Sequence, residues 1–319
     1  MPLVSLAKNP IPSGAVSGEF PGYDGAPLRY ARWNATRGPA RGTVCVFSGR
    51  GECIEKYFEV IADLRRRGFA VAMHDWRGQG GSHRLLADRR KGHIRDFSQY
   101  DRDLAAFMQQ VVLPACPPPY FALAHSMGGN ILARHSVASS SWFERIVLSA
   151  PMFEIAAGRE RVPAGLAQFY VEAASLLGFS ARYVPTGSDQ PAETVPFEGN
   201  PLTSDRERYL RNRQVFEAAP ELALGYPTVG WTRAAYRSCA YVMEPAFARR
   251  VQVPLLLFSA ANDRIVSSRA IETFASRLKI GAHVVIPQAQ HEILQESDTV
   301  RQHFWAVFDA YLGIEADAA

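Results

Sequence analysis

The chain has 319 residues, enough for one large core or for a single domain that carries an insertion. It is 47% hydrophobic and 21% charged, which excludes a disordered chain, a collagen-like repeat and a coiled coil. Lys and Arg number 35 against 31 acidic residues, and this net +4 is spread along the chain, so the sequence carries no basic face for nucleic acid.

Short apolar runs, each followed by turn residues, set the rhythm. Residues 43–48 (TVCVFS) and 70–74 (AVAMH) read as strands, apolar on both faces as a parallel sheet covered on both sides requires. Residues 75–82 between them and the next helix read as a structural turn. In 98–112, Leu104, Phe107, Met108, Val111 and Val112 recur at i, i+3, i+4, i+7 and i+8, one stripe of a helix. Strands are predicted at 120–124 (YFALA) and 145–149 (RIVLS), with a helix over 131–137 between them. From 152 to 249 the strand signal stops, and helical pieces mix with Gly, Pro, aromatics and an Arg-rich stretch at 205–213. Roughly 100 residues is too long for a loop, so this segment is expected to be an inserted, mainly helical cap. Strands resume at 254–259 (PLLLFS) and 283–286 (HVVI), and Val300, Phe304, Val307, Phe308 and Tyr311 form a last helical stripe. The alternation predicts an α/β fold with a mostly parallel, doubly wound sheet, its core at 1–151 and 250–319. No internal repeat is present.

Chemistry concentrates where strands end. The strand at 120–124 runs into His125, Ser126, Met127, Gly128 and Gly129, and a helix follows. That is close to the G-x-S-x-G elbow, in which a serine on a sharp strand-to-helix turn projects over the sheet edge and its neighbours must be small. Here Ala124 occupies the first glycine position. A serine N-cap with glycines for packing explains many such matches, so the wider pattern decides. Asp263 lies just past the strand at 254–259, and His291 just past the strand at 283–286. Ser126, Asp263 and His291 thus stand in the order expected of a triad, each beyond the carboxyl end of a strand. His291 would take the serine proton as general base and return it as general acid, with Asp263 holding its tautomer.

The rival acids are Glu292, adjacent to the histidine, and Asp298, at a helix start. His74 and His125 read as packing or local hydrogen-bonding residues, and His83, His93, His135, His283 and His303 have no acidic partner at suggestive spacing. No H-E-x-x-H and no Cys/His cluster points to a metal. Two N–H donors are needed for an oxyanion. Met127 follows the nucleophile, and Arg50 lies in the glycine-rich loop 48–52 after an early strand, where its backbone would donate and its side chain would reach an anionic head group. The cap aromatics Phe169, Tyr170, Phe179, Tyr183 and Trp231 read mostly as the core of the cap.

With those residues in place, the chain resembles the bacterial lysophospholipase and monoacylglycerol lipase group of serine α/β-hydrolases. The resemblance rests on Asp24-Gly25 with Leu28-Arg29-Tyr30, Gly49-Arg50-Gly51-Glu52, Asp75-Trp76-Arg77-Gly78-Gln79-Gly80 with Ser82, the elbow, Asn200-Pro201-Leu202-Thr203-Ser204-Asp205, Asn262-Asp263 and His291-Glu292. The stretch 225–231 (GYPTVGW) is similar to the lysophospholipase branch. Relatives usually have His-Gly where this chain has Ser48-Gly49, and glycine where it has Ala124, which bears on the oxyanion loop more than on the reaction. The resemblance implies release of one fatty acid from a lysophospholipid through an acyl-enzyme, with no cofactor and a small-molecule lipid ester as substrate. A monoacylglycerol lipase or general carboxylesterase is the alternative, and a non-catalytic ligand receptor on the same fold a remote one. Ser126 argues against an epoxide hydrolase or dehalogenase, which needs a carboxylate at the elbow. A proline-type aminopeptidase needs cap acids for an N-terminal amine, a role for which Glu172, Glu198, Glu207, Glu217 and Glu221 are available but unsupported.

Compartment follows from the sequence as an expectation. No run of about 18 apolar residues would span a bilayer. Lys8, Pro10 and Pro12 break up the start as a leader, and Cys45, Cys53, Cys116 and Cys239 lie far apart as reduced thiols. A cytoplasmic protein with, at most, peripheral contact at the inner membrane is the reading.

Overall fold

The apolar runs become neighbouring strands of one sheet, with the run at 283–286 at its edge. The computed structural model describes residues 1–36, 38–156, 164–185, 187–191 and 194–314. Eight strands follow one another as β1 (Val16–Pro21), β2 (Pro27–Trp33), β3 (Thr43–Phe47), β4 (Ala70–His74), β5 (Tyr120–His125), β6 (Phe143–Ser149), β7 (Leu255–Ala260) and β8 (Gly281–Ile286). They lie side by side in the order β1-β2-β4-β3-β5-β6-β7-β8. From β4 to β8 every pairing is parallel, whereas β1 and β2 are antiparallel to each other and β2 runs antiparallel to β4. All residues of β3, β4 and β7 are buried, as expected of strands covered on both faces.

The β1–β2 hairpin is an addition to the predicted sheet. Only Phe20 is buried in β1, and Gly18 and Pro21 read as turn residues. In β2, a fully buried Arg29 interrupts the apolar pattern, its charge met by Glu55 and Asp75. A buried ion pair looks like surface to a reading based on hydrophobic period.

Helices cover the sheet: α1 (Phe58–Arg66), α2 (Ser98–Phe107), α3 (Leu113–Ala115), α4 (Ser126–His135), α5 (Ala164–Leu176), α6 (Arg206–Ala218), α7 (Val229–Met243), α8 (Ser268–Ala275) and α9 (Asp298–Leu312). The stripe predicted over 98–112 is buried throughout, although the helix widens to a π turn at Met108–Val112. The C-terminal stripe lies on α9, with Val300, Phe304 and Phe308 buried.

Between β6 and β7 the chain forms α5, α6 and α7, with 157–163, 186, 192 and 193 of the expected 152–249 insertion outside the described residues. Residue 37 and residues 315–319 of the expected core are likewise outside them. Helix α5 packs Val171 and Ala174 on Val229 and Tyr236 of α7. Helix α6 is capped by Asp205, which accepts from the Arg208 amide, and its arginines pair with Glu59 of α1. The cap aromatics correct the expectation of a closed core. Trp231 is buried, but Phe169 is 72% exposed, and Tyr170 and Phe179 are exposed as well. Leu176 and Leu177 are 80% and 73% exposed, which leaves one face of α5 and its C-terminal turn apolar and uncovered among the described residues.

Candidate active site

Ser126 begins α4 directly after β5, and its φ of +49° places it in the left-handed region, a strained position for a residue with a side chain. The glycines explain how the turn closes. A Cβ on Gly128 would stand 2.6 Å from the Phe47 carbonyl oxygen and 2.7 Å from that of Ser48, and one on Gly129 would meet Pro151 at 2.8 Å. Ala124, by contrast, is accommodated in β5, buried and paired with Phe47 and Leu148. Its methyl group marks where a departure from the glycine pattern is tolerated.

The three residues read from strand ends come together. The Ser126 hydroxyl lies 2.9 Å from His291 Nε2, and His291 Nδ1 lies 2.8 Å from Asp263 Oδ2. The other Asp263 oxygen accepts from the Ile265 and Val266 amides at 2.8 and 2.9 Å, so the turn after β7 fixes the carboxylate plane. With Nδ1–H directed at Asp263, Nε2 is the nitrogen left to accept the serine proton. Burial alone would lower the basicity of His291, but Asp263 first, then Glu292 and Glu52, outweigh it and hold the imidazole above its ordinary value. Burial pushes the Asp263 carboxyl up, and His291 with the two amides overcomes this and keeps it below its ordinary value.

The rival acids are committed elsewhere. Glu292 pairs with Lys56 at 2.6 Å, and Asp298 accepts from Arg208. His125 directs Nδ1 at the Ser149 carbonyl, 3.2 Å away, while its ring packs 4.7 Å from that of His291. His74 is enclosed by Phe20, Phe47, Trp76 and Phe107, and burial pulls it down to about 3, so it stays neutral. Among the described residues, no group of three or more His, Cys, Asp or Glu is placed to hold a metal. All four cysteines are buried, and burial pushes the Cys53 thiol well up, which makes it a packing residue.

The glycine-rich loop 48–52 is held from two sides. Gly49 N–H donates to the Glu52 carboxylate, and Gly51 N–H to Gln79 Oε1 at 3.2 Å. Gln79 in return donates to the Gly49 carbonyl at 2.7 Å, and Trp76 Nε1 to that of Ser48 at 2.9 Å. The 75–82 turn is therefore a brace for this loop. The sequence placed Gln79 and Glu52 in motifs of the resemblance and 75–82 in a structural turn, but it assigned neither side chain a contact of its own. The Arg50 side chain turns to the segment between β6 and β7. Its Nη2 donates to the Gly225 carbonyl at 2.9 Å, and its guanidinium lies 5.1 Å over Trp231.

Residues 200–205, in the segment between β6 and β7, hold the histidine loop. Leu202 accepts from the Glu292 amide at 2.8 Å, Asn200 from Arg264 at 2.9 Å, and Thr203 Oγ1 donates to the Gln295 carbonyl at 2.8 Å. The loops carrying the base and the acid thus share one set of cap contacts.

Comparison with known proteins bears on the same frame. The chain is 36% identical to "Lysophospholipase L2" of Escherichia coli (strain K12) over 89% of its own length and 83% of the relative's. It is 25% identical to "Monoglyceride lipase" of Rattus norvegicus, covering 88% of this chain and 89% of that one. In fold it is similar to the monoacylglycerol lipase of Paleococcus ferrophilus, with a TM-score of 0.69 and 19% identity over 90% of this chain and 99% of that chain. A soluble variant of the monoglyceride lipase of Saccharomyces cerevisiae gives a TM-score of 0.70 at 19% identity, over 93% and 96%. These likenesses identify the α/β-hydrolase fold. The profile of the hydrolase family described as serine aminopeptidase, S33, matches residues 38–298. On this match and the identity over most of its length, the chain belongs to that family.

Proposed function

We propose that this chain is a serine carboxylester hydrolase that releases a fatty acid from lysophospholipids through an acyl-enzyme. The observation that carries the reading is the unbroken relay from Asp263 through His291 to Ser126, at 2.8 and 2.9 Å. Ser126 Oγ attacks the ester carbonyl as its proton passes to His291 Nε2, and the Met127 and Arg50 N–H groups face the developing oxyanion. Collapse expels the glycerol oxygen, which takes the proton from His291. Water, deprotonated by the same nitrogen, then splits the acyl-enzyme into fatty acid and free Ser126. Each half-reaction returns the histidine to neutrality, and the chemistry uses no group beyond the chain and water. The 36% identity to a lysophospholipase supports the substrate class, and the family's aminopeptidase description is set against it by the lipid-ester names of the curated relatives.

The second reading, a monoacylglycerol lipase, is favoured by the relative from Rattus norvegicus and shares every step. Segment 152–249 acts as the cap that decides between them. The uncovered apolar face of α5, with Leu166, Phe169 and Leu176, suits peripheral contact with the micelle or bilayer that holds such substrates. No helix among the described residues is long and apolar enough to cross a membrane.

The test is fatty-acid release from lysophosphatidylcholine and from monoacylglycerol by wild type and Ser126→Ala. Faster serine-dependent release from the lysophospholipid is expected. Preference for the glyceride moves the substrate to the second reading, and no serine-dependent release from either, with no fluorophosphonate labelling, overturns both.

A further inference from the structure

Behind the relay lies a cluster of charges that the reaction as written does not use. Glu52, Lys56, Tyr57 and Glu292 are all buried. Glu52 reaches three neighbours at once. One oxygen accepts from the Gly49 amide and from the Tyr57 hydroxyl at 2.7 Å, and the other pairs with Lys56 Nζ at 3.0 Å. Lys56 Nζ also meets Glu292 at 2.6 Å, and Glu292 directly follows the histidine of the relay. A single carboxylate therefore connects the loop that presents Arg50 to the residue beside the base. Gly49 makes the connection tight, since a Cβ there would lie 2.9 Å from the Glu52 carboxylate, 3.0 Å from the His125 ring and 3.2 Å from Ser126 Cβ.

We infer that Glu52 is a positioning residue, one that fixes the oxyanion loop through the Gly49 amide and, across Lys56 and Glu292, sets the field at His291. This rests on the relay reading above and names a further residue for that same reaction.

Two consequences are built into the geometry. First, the loop amides cannot drift, because Glu52 holds Gly49 from one side while Gln79 holds the Gly49 carbonyl and the Gly51 amide from the other. Preorganised donors of this kind need no rearrangement when the oxyanion forms. Second, the Glu52 and Glu292 carboxylates share the one ammonium of Lys56, and both favour the protonated form of His291. The groups facing His291 are Asp263 after β7, Glu292 on its own loop, Glu52 from the oxyanion loop, Lys56 from the 3₁₀ turn Ile54–Tyr57, and His125 with Ser126 at the end of β5. Burial would push the Glu52 carboxyl up, but Lys56, His125 and the bonds from Tyr57 and Gly49 outweigh this and keep it ionised below its ordinary range. Burial brings His125 down to about 4, so it adds no charge of its own near neutrality.

The experiment compares wild type, Glu52→Gln and Tyr57→Phe on a soluble p-nitrophenyl ester across pH, with fluorophosphonate labelling of Ser126 and thermal unfolding in parallel. Glu52→Gln keeps the shape and removes the charge. A fall in kcat of about tenfold to a hundredfold, with KM changed less than about threefold, is expected for it. Its acidic limb of kcat/KM moves to lower pH, because the imidazolium has lost a negative neighbour. Tyr57→Phe removes one donor to Glu52 but no charge, so a smaller fall in kcat is expected with the acidic limb unmoved. Wild-type kcat and an unshifted limb in Glu52→Gln overturn the inference while leaving the relay intact. If Glu52→Gln does not fold, wild-type kcat in Tyr57→Phe overturns it. Failure of wild type itself to hydrolyse the ester or to be labelled overturns the relay reading, and this inference with it.

Discussion

Two regions meet at Ser126 and are held in opposite ways. On the sheet side, three buried cations each meet two carboxylates: Arg29 with Glu55 and Asp75, Lys56 with Glu52 and Glu292, Arg77 with Asp103 and Asp24. Such pairs are strongly directional, and removing one member leaves a bare charge in low dielectric. In the segment between β6 and β7, helix α5 is attached to α7 through Val171 and Ala174 and through Glu172, which pairs with Arg233 and Arg237 at the surface. It leaves Leu166, Phe169 and Leu176, with Leu177 just beyond, exposed among the described residues. One side over-determines a geometry, and the other presents adaptable apolar area. Reaction type and substrate preference are therefore written into different physical materials, and substitutions should separate them.

The largest separation is expected at Asp263→Asn. An amide in place of the carboxylate directs N–H at Nδ1 and favours the wrong tautomer of His291, so kcat should fall by about four orders of magnitude with little change in KM. Steady-state kinetics on a soluble ester check it, and a loss smaller than about tenfold would mean that another acid serves the base. Next comes Asp75→Asn on the sheet side. Asp75 accepts from Arg29 Nε at 2.7 Å, from the Ile54 amide at 3.0 Å and from the Gly81 amide at 2.7 Å. Unbalancing that site should cost about 3–5 kcal/mol in urea unfolding. On the other region, Leu176→Glu with Leu177→Glu should leave hydrolysis of a soluble ester unchanged and slow release from lysophospholipid vesicles roughly tenfold. Equal loss on both substrates would erase the distinction drawn above. The smallest effect is on pH. His291 must be neutral to act, and its basicity is raised, so kcat/KM should decline as pH falls, with a midpoint above the ordinary histidine value of about 6.5. A midpoint below that value would show that burial outweighs Asp263.

These contrasts also explain what the sequence disclosed. The central strands were legible because parallel strands buried on both faces are apolar without alternation, as in 70–74 and 254–259. Ser126 and Asp263 stand just beyond such strands, β5 and β7, whereas His291 follows the edge strand β8, which is mostly exposed or half-buried and was read from its β-branched run alone. The β1–β2 hairpin was not, since Arg29 is interior only by virtue of partners 26 and 46 residues away. Glu52 and Gln79 stood in motifs of the resemblance, but their roles were not legible, as these lie in contacts to backbone atoms of a loop whose path no local pattern records. Helix α5 misled in another manner. It is apolar nearly all round, and periodicity cannot say which of two apolar faces meets α7 and which is left uncovered.

The separation of the relay along the chain has a consequence in time. In the proposed relay, His291 lies 165 residues beyond the serine it would activate, and Asp263 28 residues before that histidine. During synthesis the hydroxyl of Ser126 is made long before its base exists. Strand β5 and the strained turn can form early, but the oxygen stays an ordinary alcohol until β7 and β8 have added to the sheet and the 200–205 contacts have closed on the histidine loop. On the proposed relay, a chain in which β8 has not yet added is expected to cleave no ester, and the onset of activity is expected to follow closure of the histidine loop.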